Sequence, residues 1–196
     1  MLDLGYHSVS PGTIATVVTS LSMPARPELR PEAAMPGWNL ERLSEPRPEV
    51  YLQLYRTVGE DWLWFSRLAM SDKQLCAIIH SPDVEIYRLR DGGGGEGMLE
   101  LDFREPGACE LAFFGLSSSL IGGPAGRWLM NRAIERAWAR AIEKFWVHTC
   151  TCDHPKAVDF YRRSGFAPFQ TQVEVFDDPR LTGLLRADAA PHIPKL

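Results

Sequence analysis

The residues Ser117-Ser118-Ser119-Leu120-Ile121-Gly122-Gly123-Pro124-Ala125-Gly126 run straight into a stretch of helical period. A helix N-terminus leaves about four backbone N–H groups without intrahelical partners and carries roughly half a positive charge. Small residues at that point let an anion approach the backbone closely. The segment therefore has the makings of a diphosphate site, with plain capping of a helix by glycine as the alternative. A second cluster, Cys150 and Cys152 with His148 and His154 nearby, has residue types that bind metals. Beyond the two thiols a metal would need two further well-spaced ligands, for which these histidines are the only local candidates, so the expectation is no metal and a pair of buried thiols on one face of a strand.

These segments need a scaffold, and the hydrophobic pattern supplies one. Ile14 to Val18, extending towards Leu21, reads as a first strand. Six prolines from Pro24 to Pro48 follow, and residues 22–48 are expected to form an irregular connection. Leu52, Leu54, Tyr55 and Val58 then mark a helix closing at Gly59. Ser71, with Gln74 three residues later, opens a second helix in capping-box form, ended by Pro82. Val84–Leu89 and Met98–Phe103 alternate as two strands around Asp91 and four glycines, the pattern of a hairpin. A phosphate-cradling role for those glycines is disfavoured, because no helix follows them.

A third strand, Ala108–Leu116, leads into the Ser/Gly loop. A helix of about 20 residues is expected next, with Met130, Ile134, Ala137, Trp138 and Ala141 as its apolar stripe. Phe145–Cys152 reads as a strand and Pro155–Arg163 as a short helix with Gly165 just beyond. A long last strand carries Thr171, Val173 and Val175, and residues 177–196 form a tail that could cover a site or pair with a second subunit. The order is strand, helices, three strands, helix, strand, helix, strand. A strand, crossover helix and strand imply one central parallel pair in a mixed, mostly antiparallel sheet, with helices on both faces. The expected class is α/β, with residues 1–196 forming a single domain.

The 196 residues are 45% hydrophobic and 23% charged, with net charge −4 and no basic block, which disfavours nucleic acid and anionic membranes as partners. No apolar run is long enough to span a bilayer, and Met1–Thr19 has no basic residue ahead of its apolar stretch. A cytoplasmic address and free thiols are the expectation.

The order of elements, the stretch CELAFFGLSSSLIGGPAGRWLM and the later DHPKAVDFYRRSGF together resemble the GNAT acetyltransferases. The resemblance runs from about Val84 to Val175 and is weaker over the first 80 residues. It implies a GNAT-like fold, acetyl-CoA as co-substrate and a primary amine as acceptor. The family's diphosphate pattern, Q/R-x-x-G-x-G/A, is met only at Gly126. Ile121 stands at its first position and Pro124 at its first glycine. Read as the first residue of the helix, Pro124 loses the N–H that matters least. Gly122, Gly123, Ala125, Gly126 and Arg127 then keep theirs, and Arg127 could add a charged contact.

By the same resemblance, Phe114, Gly115 and Leu116 would bind the pantetheine arm through their backbones. His154 stands where the family often has a CoA-contacting asparagine, with helix capping as the alternative. Tyr161 matches the tyrosine that often protonates the departing thiolate, against the alternative of a half-buried helix residue. Glu110 stands where some relatives keep a glutamate that helps deprotonate the amine. An alkylammonium has a pKa near 10.4, so the free amine is scarce at neutral pH and a base is useful. Tyr55, Trp62, Trp64 and Phe65 are acceptor-pocket candidates by analogy only. The expected function is direct acetyl transfer from acetyl-CoA to an amine. A non-catalytic acyl-CoA-binding or sensing domain is the alternative, and a dimeric interaction protein a third reading.

Overall fold

Alternating β-branched and apolar residues fold into seven strands of one sheet, in a computed structural model that describes residues 2–195. Met1 and Leu196, the two ends of the expected domain and tail, lie outside the described residues. The strands are β1 (Thr13–Met23), β2 (Asn39–Arg42), β3 (Val84–Arg90), β4 (Glu96–Asp102), β5 (Ala108–Leu116), β6 (Lys144–Cys150) and β7 (Ala167–Asp177). The helices are α1 (Pro48–Gly59), α2 (Asp72–Ile79), α3 (Ala125–Ala137) and α4 (Ala157–Arg163). The sheet order is β2-β3-β4-β5-β6-β1-β7. All neighbours are antiparallel except β5 and β6, the expected parallel pair.

Two cores lie on opposite sheet faces. Leu89, Leu99, Leu101, Leu111, Phe145 and Val147 pack under α3 and α4 with Leu129, Ala133 and Tyr161. Ile86 and Met98, one residue out of phase with Tyr87 and Leu99, pack with Tyr51, Leu54, Leu75 and Ile79 of α1 and α2. The two-residue period of the strands thus produces helices on both sides.

Local signals are realised closely. Pro48 occupies the first turn of α1, and the Ser71–Gln74 capping box closes in both directions. The glycine loop is a hairpin turn in which the Asp91 carboxylate accepts from Gly93 and Gly95 N–H, taking up two of its backbone donors.

Three expectations are corrected. The proline-rich segment 22–48 is not wholly irregular, because Asn39–Arg42 escapes the prolines and pairs with β3 as an edge strand. The helix expected to run about 20 residues ends after 13. Past Ala137 the chain turns, and Arg140 is anchored by Asp83 at 3.1 Å and Glu85 at 2.9 Å. Cys152 is outside β6, because the Asp153 carboxylate accepts from Cys150 N–H at 2.9 Å and Thr149 Oγ1 at 2.7 Å and turns the chain. The edge strand β7 forms as expected and is exposed along most of its length, since no helix covers it.

Candidate active site

The parallel pair is short. Ala108, Cys109 and Glu110 face Lys144, Phe145 and Trp146, and beyond them β5 and β6 diverge. An irregularity helps: Leu101 faces Leu111 while Glu100 faces Phe113, so Ala112 is an extra residue that bends β5. Between the parted strands opens a cavity of about 800 Å³. That is the size of a site for a cofactor or other small molecule.

At one end lies the N-terminus of α3. Pro124 is its cap and not its first residue, as the spacing had suggested. Helical bonding starts with Trp128 N–H to the Pro124 carbonyl at 3.1 Å, which leaves Ala125, Gly126 and Arg127 N–H free of intrahelical acceptors. Gly122, with φ +83°, turns the chain into this cap. Gly122, Gly123, Gly126 and Arg127 line the cavity, while the side chain of Ala125 is buried in the core.

The proline-rich segment lies across the same helix. Arg127 Nη1 donates to the Pro31 carbonyl at 3.0 Å, and Asn131 Nδ2 to the Arg30 carbonyl at 2.8 Å. Arg132 pairs with Glu32 at 2.6 Å. This brings Arg30 to the cavity beside Arg127, Lys156 and Arg163, and none of the four has a carboxylate partner among the described residues. Arg30, Lys156 and Arg163 were not legible as site residues, because only the fold brings them to α3.

Phe114, Gly115 and Leu116 line the middle of the cavity. A Cβ on Gly115 would stand 2.4 Å from Val58 Cγ1, so α1 packs directly on this strand. Tyr161 closes the opposite side, nearly buried among Phe114, Phe160 and Phe166. Burial, and then the charge of Asp153, push its phenol well above the ordinary value, so it remains protonated. His154 lines the cavity as well, and its Nδ1 accepts from Lys156 N–H at 3.1 Å in the turn before α4, whose cap makes no side-chain bond.

The far wall is aromatic. Tyr55, Trp62, Trp64 and Phe65 all line it, joined by Phe113 and Phe176. Tyr55 and Trp64 each pack on Phe113, at 4.9 and 5.0 Å between centroids, and Phe65 packs on Phe176 at 4.8 Å. Trp62 lies between the imidazoles of His154 and His192. The tail is held to its own chain: Arg180 pairs with Asp178 and donates to the carbonyls of Ala189, Ala190, Ile193 and Pro194.

Glu110 is not itself on the cavity lining. It accepts a hydrogen bond from His148 Nδ1 at 3.1 Å, and His148 is the residue that lines the cavity. The imidazole of His148 thus has a carboxylate partner. The missed signal is parity: Glu110 faces Trp146, which puts Glu110 and His148 on one sheet face.

Cys150 and Cys152 are free thiols and both line the cavity. The neighbouring Cys152 thiol draws the Cys150 thiol below the ordinary thiol range. Burial pushes Cys109 in the opposite direction. Iodoacetamide at neutral pH should therefore alkylate Cys150 well before Cys109, read by peptide mass spectrometry. Equal modification of the two would contradict this. Among the described residues no group of three His, Cys, Asp or Glu side chains is placed to hold a metal, and no helix is long and apolar enough to cross a membrane.

A mixed sheet that splits at its parallel pair, with a helix N-terminus at the split, defines an α/β fold of the acetyltransferase type. The chain belongs to the GNAT acetyltransferase family, whose model matches residues 40–166. A GCN5-related N-acetyltransferase from Sphaerobacter thermophilus has the same fold, with TM-score 0.62 and 10% identity over 83% of this chain and 52% of that one. A functionally unknown conserved protein from Staphylococcus epidermidis gives 0.56 and 12% over 85% and 63%. An aminoglycoside acetyltransferase from an uncultured soil metagenomic sample, in complex with sisomicin, gives 0.51 and 14% over 65% and 87%. The chain thus spans 52% and 63% of the first two proteins' length. No curated protein sequence matches it.

Proposed function

We propose that the protein transfers an acetyl group from acetyl-CoA to a primary amine by direct attack. The observation that carries this is the meeting, in one cavity, of the free N–H groups of α3 with Arg30, Arg127, Lys156 and Arg163. Four cations without carboxylate partners among the described residues, beside a helix N-terminus, suit a ligand with several phosphates. The co-substrate supplies an activated thioester. Phe114, Gly115 and Leu116 offer the backbone of β5 to the pantetheine arm, and the split between β5 and β6 gives the thioester its place. The phenol of Tyr161, kept protonated by burial, is a donor for the departing sulfur. The aromatic wall from Tyr55 to Phe176 excludes water and receives the body of the amine.

Ile121 and Pro124, where the family pattern has a side-chain donor and a glycine, favour one second reading, a domain that binds acyl-CoA without turning it over. Calorimetric titration of the whole protein with acetyl-CoA, against desulfo-CoA and ATP, tests the site. Saturable micromolar binding is expected, weakened about tenfold or more by Arg30→Ala, as for loss of a charge-assisted contact. Absence of binding would remove both readings. Tyr161→Phe separates them: turnover should fall while affinity holds.

A further inference from the structure

We infer that His148 is the general base of the transfer and that Glu110 is its positioning residue. The inference rests on the acyl-transfer reading above. Its geometry comes from three strands. Glu110 stands at the last paired position of β5, where the parallel ladder stops. His148 stands two residues beyond Trp146 on the same face of β6, opposite Ser20 of β1. Nδ1 and the Glu110 carboxylate are 3.1 Å apart. A carboxylate accepting from Nδ1–H fixes the tautomer and leaves the lone pair on Nε2, the arrangement that suits an imidazole to take a proton.

The position of the ring matters as much as its partner. His148 lines the main cavity and also a second hollow of about 540 Å³ on the uncovered face of β6, β1 and β7. No other histidine lines both. An acceptor arriving over that open face meets His148 before it meets the thioester. Glu174 is the other residue with a titratable side chain that lines both hollows. It has no ion-pair partner among the described residues and suits an ammonium group waiting to be deprotonated. Glu110, by contrast, lines neither hollow and reaches the acceptor only through the imidazole.

The reaction releases one proton net. His148 Nε2 takes a proton from the ammonium, and the free amine nitrogen then bonds to the thioester carbonyl carbon. The C–S bond breaks, the nitrogen loses its second proton to solvent, and the sulfur takes one from solvent or from Tyr161, which solvent reprotonates. The imidazolium, facing Glu110, releases its proton to water. Glu110 raises the imidazole's proton affinity through its hydrogen bond, against the opposing effect of burial, and the charges of Asp153 and Cys150 act in the same direction as Glu110. Glu174 on β7, Lys144 on β6 and Glu105 before β5 are the other charged groups around the second hollow.

The test uses two acceptors of one shape, 2-phenylethylamine, charged at pH 7, and O-benzylhydroxylamine, whose weakly basic nitrogen is already uncharged there. His148→Gln should lose on the order of 10²-fold in kcat with the first and little with the second, as loss of a general base requires. The acid limb of the wild-type kcat/KM profile should lie above the ordinary imidazole range and move to lower pH in Glu110→Gln. NMR titration of the His148 ring should show the same shift without any acceptor, so a protein that acylates neither amine is judged on that titration. Equal losses with both amines, unchanged rates, or a His148 titration unmoved by Glu110→Gln would overturn the inference. Failure of acetyl-CoA to bind in the calorimeter would instead remove the acyl-transfer reading beneath it.

Discussion

Arg67→Met is expected to destabilise the protein by about 3–5 kcal/mol, the range for removing one member of a buried ion pair. Arg67 is 8% exposed and Glu100 fully buried, and Nη2 donates to Oε1 at 2.7 Å. Tyr51 completes the group: its hydroxyl donates to Glu100 Oε2 at 2.6 Å and accepts from Arg67 Nε at 3.3 Å. Burial works against the charged guanidinium, but Glu100 and the Tyr51 hydroxyl outweigh it and hold the proton on Arg67. Without Arg67, the Glu100 carboxylate is left between α1 and β4 with only a phenol for company. The guanidinium also sits over the Phe113 ring at 5.0 Å, and its backbone N–H reaches the Tyr55 hydroxyl at 3.5 Å. The loop carrying Trp62, Trp64 and Phe65 is therefore tied to the sheet through Arg67, and the aromatic wall should loosen with it. The double variant Arg67→Met/Glu100→Met should recover most of the loss, since apolar replacement of a whole buried pair is often neutral or better. Urea midpoints of the two single variants and the double variant give the coupling directly. A single-variant loss below about 1 kcal/mol would mean that solvent reaches the pair, against the burial it rests on.

What could be read along the chain was what neighbours decide. Pro48 opens α1, Ser71 and Gln74 cap α2, and Asp91 with its glycines closes a hairpin, each within a few residues. The loop ahead of α3 was legible for the same reason, as a run of small residues entering a helix. The cations beside it were not: Arg30 arrives through contacts between residues 30–32 and 127–132, about a hundred positions away. The Glu110–His148 pair lay between these cases. Both residues were visible, but their meeting depends on the register of β5 against β6. The length of α3 was misread because its apolar stripe continues in sequence past the point where Arg140 pulls the chain to Asp83 and Glu85. Periodicity records which face a residue would take in a helix, and a distant ion pair can still end that helix.

Removing residues 2–23 should abolish cooperative folding, even though the segment matched by the family model, 40–166, would be untouched. The first strand is not an appendage. It lies inside the sheet, with Val18–Met23 pairing against β6 and Thr13–Ser22 against β7. Without β1, β7 has no ladder partner, so both strands leave the sheet. Leu21 and Met23 are lost from the core, and Phe145 and Val147, now fully buried, face solvent along the new edge. At roughly 1.5–3 kcal/mol for each of these four side chains, the loss is about 6–12 kcal/mol. A domain's whole stability is about 5–15 kcal/mol. The bare edge of β6 would also invite pairing with other chains, so insolubility should accompany unfolding. The shortened chain should show no near-ultraviolet circular dichroism and no thermal transition. Because the interactions lost are those of one continuous strand, a synthetic peptide of residues 11–23 added in excess should restore both signals. A shortened chain that melts within a few degrees of the full one would show that β6 tolerates an open edge, and that the matched segment folds without the strand.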